Sequence, residues 1–288
     1  MKSNFLATDG AQINTDKMRS NWRFRPFSFF SFIFNYLCPI CAPSVAKLFF
    51  VMGATLALCA CGGRGGQAVT PQATKAPTVG TATIRGTVFY PGTPPPRAIV
   101  CAAGRCHEGA PAIYDETVIV NPNHTLQNVI VYLQNAPQGN GGGPAVKLDQ
   151  INCHFVPHVL ALQVFEPLII QNSDSHLHNV DMHCQVNQLA GGNNFNMFGN
   201  EVHSPVTFQA PEFFPITCDV HPWMRCEVGV FDNPYFAVTG TDGTFVLHNV
   251  PAGTYVLAAR HERYGELTQS VTVADNQTVD ADFTFKQP

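Results

Sequence analysis

The chain has 288 residues and a formal net charge of −4; the length allows two domains, and the charge offers no basic excess for a phosphate backbone, which sets nucleic-acid binding aside. That charge is uneven, with six Lys or Arg against two acids in residues 1–61 and ten against eighteen in residues 62–288, a basic leader before an acidic body. Phe (22), Gly (23) and Pro (22) are abundant, and short alternating apolar runs with no long 3.6-residue period after residue 61 make the body all-β.

Residues 27–61 are rich in apolar side chains, and the cleanest run, 48–60, follows Lys47. It is short of the roughly 20 residues of a membrane span but fits the apolar core of a secretory signal ending in Leu58-Cys59-Ala60-Cys61. The segment resembles a bacterial lipoprotein signal. That resemblance implies lipidation of Cys61 and a place in the bacterial cell envelope, lipid-anchored and facing the periplasm or the exterior. A membrane helix over 27–60 is the alternative, interrupted by Pro39, Pro43 and Lys47. Residues 62–81 contain little that forms a core and read as a flexible tether of roughly 25 Å root-mean-square reach.

Strands are expected at 82–90 and 127–134, then around Val146 and at 160–163, 168–171, 206–208 and 226–231. Residues 237–247 read as a hairpin turning at Asp242-Gly243. A further turn and strand follow at 250–257, and the last strands lie near 269–273 and 278–285.

The chemistry concentrates in Cys218-Asp219-Val220-His221-Pro222-Trp223-Met224, where a thiol, an imidazole and a thioether fall within one loop. Soft sulfur with imidazole selects copper, and one Cys, two His and a weak axial Met make the ligand set of a type-1 electron-transfer site. His178 is the candidate for the second imidazole. Zinc also takes Cys and His, but the Met argues against it.

His178 with Cys218-x-x-His221-x-x-Met224 resembles the copper loop of the cupredoxins, and the short Cys-to-Met spacing is similar to amicyanin. Leu168 to Asp174, ending in Asn172-Ser173-Asp174, looks like the family's strand before its first His, and Phe165-Glu166 departs from the Gly-containing turn of many members. The resemblance implies one type-1 copper ion held by His178, Cys218, His221 and Met224. It also implies Asn179 as a residue pinning one loop to the other, and Pro222 and Trp223 as an apolar shield and docking rim. His158 is the remaining histidine expected nearest the loop. Residues 235–286, with Thr241-Asp242-Gly243-Thr244-Phe245 and Pro251-Ala252-Gly253-Thr254-Tyr255, look like the second half of a carboxypeptidase regulatory-like, transthyretin-type sandwich. Residues 84–88 and 129–133 resemble its first strands.

The expected organisation is therefore a leader (1–61), a tether (62–81), first strands of the transthyretin-like sandwich (82–136), a Greek-key cupredoxin sandwich (137–234) and the remaining strands of the smaller sandwich (235–288). In the alternative, 82–136 are the first strands of the cupredoxin and the domains are tandem. With Cys218 assigned to copper, Cys153 is expected to pair with Cys106 or Cys101, and Cys184 with Cys226; spacing leaves the connectivity open. His154, His158, His176 and His183 offer imidazoles for a second metal, although such residues more often hydrogen-bond within loops.

Together these features point to an electron carrier, not an enzyme. Its partners would be a redox protein, such as a c-type cytochrome or membrane oxidoreductase, and the membrane through its lipid. A copper-storage or delivery lipoprotein whose sandwich binds a partner or glycan is the alternative.

Overall fold

The computed structural model describes residues 79–286; the leader, Cys61 and most of the expected tether lie outside the described residues. Among the described residues every regular element is a strand, and the chain is all-β. The first part supplies β1 (Ala82–Phe89), the short pair β2 (Ile99–Cys101) and β3 (Ile113–Tyr114), and β4 (Ile130–Leu133). The middle supplies β5 (Val146–Ile151), β6 (His154–Val156), β7 (Val159–Gln163) and β8 (Leu168–Asn172), then β9 (His178–Met182), β10 (Asn194–Met197), β11 (Glu212–Thr217) and β12 (Arg225–Phe231). Last come β13 (Phe236–Val238), β14 (Thr244–Val250), β15 (Gly253–His261), β16 (Gly265–Val273), β17 (Thr278–Asp280) and β18 (Phe283–Thr284).

One sandwich pairs a β14-β1-β17 sheet, with β18 also on β1, against a β13-β4-β15-β16 sheet. The period-2 pattern dictates its core: Ala82, Ile84 and Val88 of β1 face Leu257 and Ala259 of β15, while Arg85 and Phe89 point outward. The other sandwich sets β10-β9-β11-β12-β7 against β6-β5-β8, around Leu148, Phe155, Leu162, Ile170, Phe208 and Phe214. At roughly 1.5–3 kcal/mol per buried large apolar side chain, these two cores dominate the stability of the fold.

β1 and β4 pair with strands after residue 235, so the middle segment leaves and re-enters the first sandwich. Its entry and exit lie side by side: Leu133 donates its backbone N–H to Tyr235 at 3.0 Å and Gly139 donates to Asp232 at 2.8 Å. Short, adjacent ends let an inserted domain fold without distorting its host. Where the sandwiches meet, Tyr132, Phe213, Phe231 and Phe236 pack at centroid distances of 4.8–5.6 Å, mostly tilted or edge-on, and the Arg260 guanidinium lies 4.6 Å over Phe213. The excursion between β1 and β4 also crosses over, placing Cys101, Ile113 and Cys106 against the core of the inserted sandwich.

Some local expectations are corrected. Asp242-Gly243 does not close a hairpin, because β13 pairs with β4 and β14 with β1, in opposite sheets. A two-residue hairpin of the Asp-Gly kind needs positive φ at both central residues. Here Gly243 has φ +71° and Asp242 does not; Gly243 closes the turn onto Gly240 at 3.0 Å. Residues 206–208 form only a bridge from Val206 to Leu168. Unexpected strands β9 and β10 are rich in Asn and Asp, poor strand formers alone, that are set by their partners. At Phe165-Glu166 the turn forms without glycine: Phe165 takes φ +62°, and the Glu166 carboxylate accepts the Gln163 N–H at 2.8 Å.

Candidate metal centre

β11 and β12 pair up to Thr217 opposite Arg225, and the loop 218–224 caps this pair. Cys218 and Met224, at its two ends, are 2% and 1% exposed. The Met224 N–H donates to the His221 carbonyl at 2.9 Å, folding the loop into a tight turn. His178 opens β9, which pairs with β11 through Thr217 and Asp181. Three strand ends thus converge, and with them the side chains. His178 Nδ1 lies 2.8 Å from His221 Nδ1, Cys218 Sγ lies 3.8 Å from His221 Nδ1, and all three ligand atoms fall within 4.8 Å of one another.

Orientation comes from outside the trio. His178 Nε2 sits 2.8 Å from Asp174 Oδ2, which assigns the proton to Nε2 and leaves the Nδ1 lone pair directed at the cluster. Asp174 also accepts the N–H groups of Asn152 at 2.7 Å and Cys153 at 2.9 Å. Burial works against its charge, but these donors and His178 outweigh it and hold the carboxyl below its ordinary range. Burial lowers the pKa of His178; burial, reinforced by the charges of His178 and His176, lowers His221 to about 4. Both imidazoles are therefore neutral at pH 7, the state in which histidine ligates. The donor chemistry fits copper: two imidazole nitrogens and a thiol, with Met224 buried at the end of the same loop.

Asn179 joins the two loops as the resemblance implies. Its backbone N–H points at Cys218 Sγ at 3.4 Å, its Nδ2 donates to Asp219 Oδ2 at 2.9 Å, and its Oδ1 accepts the Asp219 N–H. Trp223 is turned partly inward: its indole N–H donates to the Cys153 carbonyl at 3.1 Å and its ring lies 5.2 Å from His221, whereas Pro222 is exposed. The exposed apolar side chains beside the ligands are instead Leu177 (38%) and Val220 (48%).

His158 does not join the cluster. Its Nε2 lies 2.5 Å from Glu262 Oε1 in the other sandwich, and it lines a cavity of about 100 Å³ with Pro222, Trp223 and Met224. Nor do His154 and His183, which bond to Asn152 O and Thr217 Oγ1. His176 does approach, with its ring 4.9 Å from His178 and 6.0 Å from His221.

Cys153 forms a disulfide with Cys106, while Cys101, Cys184, Cys218 and Cys226 are separate buried thiols. The expected Cys184–Cys226 bridge is absent because β11 lies between them: Ile216 faces Met182 on one side and Cys226 on the other. Two strand spacings are about 9.5 Å, beyond the ~7 Å reach of a disulfide.

Asp174 is the site residue whose role the sequence left unassigned, and His176 was offered there only as one of four imidazoles for a second metal. The available signal was Asp174 four residues before His178, within a run dense in Asn, Asp and His.

Residues 227–286 match the carboxypeptidase regulatory-like domain model, a stretch that begins in β12 and includes the expected 235–286. No curated protein matches the chain. Among solved structures, it is similar to a copper-containing nitrite reductase from Thermus scotoductus at 21% identity, over 30% of this chain and only 22% of that one, with a TM-score of 0.25. Amicyanin from Paracoccus versutus is 21% identical over 30% of this chain and 80% of that one, TM-score 0.25. A purple cupredoxin from Nitrosopumilus maritimus is 17% identical over 30% of this chain and 98% of that one, TM-score 0.25.

Proposed function

We propose that the protein is a type-1 copper protein that carries single electrons between redox partners. The observation that carries this reading is the meeting of His178 Nδ1, His221 Nδ1 and Cys218 Sγ within 4.8 Å, with His178 held from behind by Asp174. Copper, when bound, supplies a one-electron couple. The chain contributes rigidity, because His178 and Cys218 stand at the ends of mutually paired strands and His221 sits in the short loop that joins two of them, so the donors need not rearrange when charge changes. Leu177 and Val220 give the ligand end an apolar border on which a redox protein, such as a c-type cytochrome or membrane oxidoreductase, can dock.

In this reading the protein works at the bacterial envelope, tethered through a lipid on Cys61; Cys61→Ser should release it from membranes, and unchanged membrane retention would refute the anchor. The carrier role is tested by repeated one-electron cycling of the copper-loaded protein against a chelator. A carrier keeps its copper over many cycles. Prompt loss of the ion on reduction would favour copper delivery instead.

A further inference from the structure

Beside the proposed copper centre lies a second set of soft donors. Cys106 comes from the excursion between β1 and β4, and Cys153 from the turn between β5 and β6. His176 Nε2 points between them, 3.3 Å from Cys106 Sγ and 3.2 Å from Cys153 Sγ. Cys106, Cys153, His176 and His221 present ligand atoms that all lie within 4.8 Å of one another, and the His107 ring lies tilted against His176 at a centroid distance of 5.3 Å.

The local backbone is built to hold this arrangement. Asn152 and Cys153 both adopt positive φ, +52° and +57°, an uncommon conformation for side chains other than glycine. It is supported by Asp174, which accepts both of their N–H groups. The same carboxylate orients His178, so one residue sets the Cys153 thiol and a ligand of the neighbouring site. His176 is fixed in turn by fully buried Asn172, whose amide donates to the His176 carbonyl at 2.8 Å. A disulfide that only braced the fold would not require an imidazole nitrogen against both sulfurs.

We propose that the reduced Cys106–Cys153 pair forms, with His176, a second metal site that takes copper(I) next to His221. Two thiolates and one imidazole make a soft three-donor set suited to copper(I), whereas structural zinc almost always takes four ligands. With metal–sulfur bonds of about 2.3 Å and a metal–nitrogen bond of about 2.0 Å, a trigonal ion places sulfur and nitrogen about 3.7 Å apart, close to the present separations. The sulfurs must part to about 4 Å on the same geometry, a movement of about 1 Å each, within reach of side-chain rotation. A dithiol reductant breaks the Sγ–Sγ bond with two electrons and two protons, leaving two thiols and its own disulfide; binding copper(I) then releases the two thiol protons. The disulfide state closes the second site and the dithiol state opens it.

The test is copper(I) titration of the full-length chain in detergent, without oxygen, against a chromogenic chelator, before and after reduction by a phosphine that is then removed. The expected stoichiometry is one copper(I) per chain with the disulfide and two with the dithiol. Cys106→Ser with Cys153→Ser should hold it at one under reduction, and His176→Ala, which spares both cysteines, should weaken the second ion at least tenfold and leave the first. Equal stoichiometry in the two redox states, a second ion retained by the double variant, or preferential retention of zinc(II) when both metals are offered would overturn the proposal. Failure of the proposed type-1 site is distinguishable: it would read as none with the disulfide and one with the dithiol.

Discussion

Asp174 divides two carboxylate oxygens among three donors, and removing its charge touches all of them. Asp174→Asn presents an amide N–H₂ where one donor now points. The expected result is about 10–100-fold weaker copper binding, as for other residues that orient a metal ligand, and a metal-free protein destabilised by about 1–3 kcal/mol for the donor left without an acceptor. Competition against a chelator and urea unfolding measure the two effects; undiminished copper affinity would show that His178 needs no such support. The residue scale was also the most legible. Cys218, His221 and Met224 stand at a spacing that one loop brings together, and His178 could be found because a strand pattern precedes it. The Cys106–Cys153 pair was expected as a bridge but was opaque as a neighbour of the centre, because Cys106 arrives there on the excursion between β1 and β4, which no local pattern encodes; His176, two residues before His178, was legible only as one of four imidazoles for a second metal. His158, expected nearest the loop, does line a cavity with Pro222, Trp223 and Met224, but the imidazole beside the ligands is His176, and the bonding partner of His158, Glu262, lies 104 residues away in the other sandwich.

Strands that alternate cleanly, such as β1 and β15, could be read directly, since burial on one face fixes their pattern. β9, β10 and β11 could not. Polar residues serve the loops and caps around the centre, and Pro215 within β11 reads locally as a break; pairing on both sides of β11 makes the strand. The Asp242-Gly243 turn shows the opposite failure, a strong local signal used to link two sheets. There a Cβ on residue 243 would lie 2.3 Å from Thr125 Cβ, at φ +71°. Gly243→Ala should therefore lower stability by more than about 1 kcal/mol, the usual cost of a left-handed alanine, while leaving the copper spectrum unchanged. Calorimetry and absorption on the same sample separate the two readouts.

The molecule as a whole is a host sandwich interrupted by a second one, and the sequence left that arrangement balanced against tandem domains because both place the same strands in the same order. The seam between them is aromatic in one part and charged in another. His158 faces Glu262 at 2.5 Å and Glu116 at 3.9 Å, with Glu227 nearby. Burial opposes its charge, but the hydrogen bond and charge of Glu262, helped by Glu116 and Glu227, raise its pKa. The stabilisation from His158 is accordingly complete below the unfolded-state value of about 6.5 and disappears as pH rises through the higher folded-state value. The difference in urea midpoint between the native chain and His158→Gln should narrow as pH rises above about 6.5; a difference that widens would contradict this assignment.

The central claim is that His178, Cys218, His221 and Met224 hold one copper ion as a type-1 site, and the absorption spectrum of the copper-loaded, oxidised protein tests it most directly. The account predicts an intense blue band from the Cys218 thiolate, bleached on one-electron reduction and missing in Cys218→Ala. A copper-replete protein without that band, or a band that persists in Cys218→Ala, would contradict it.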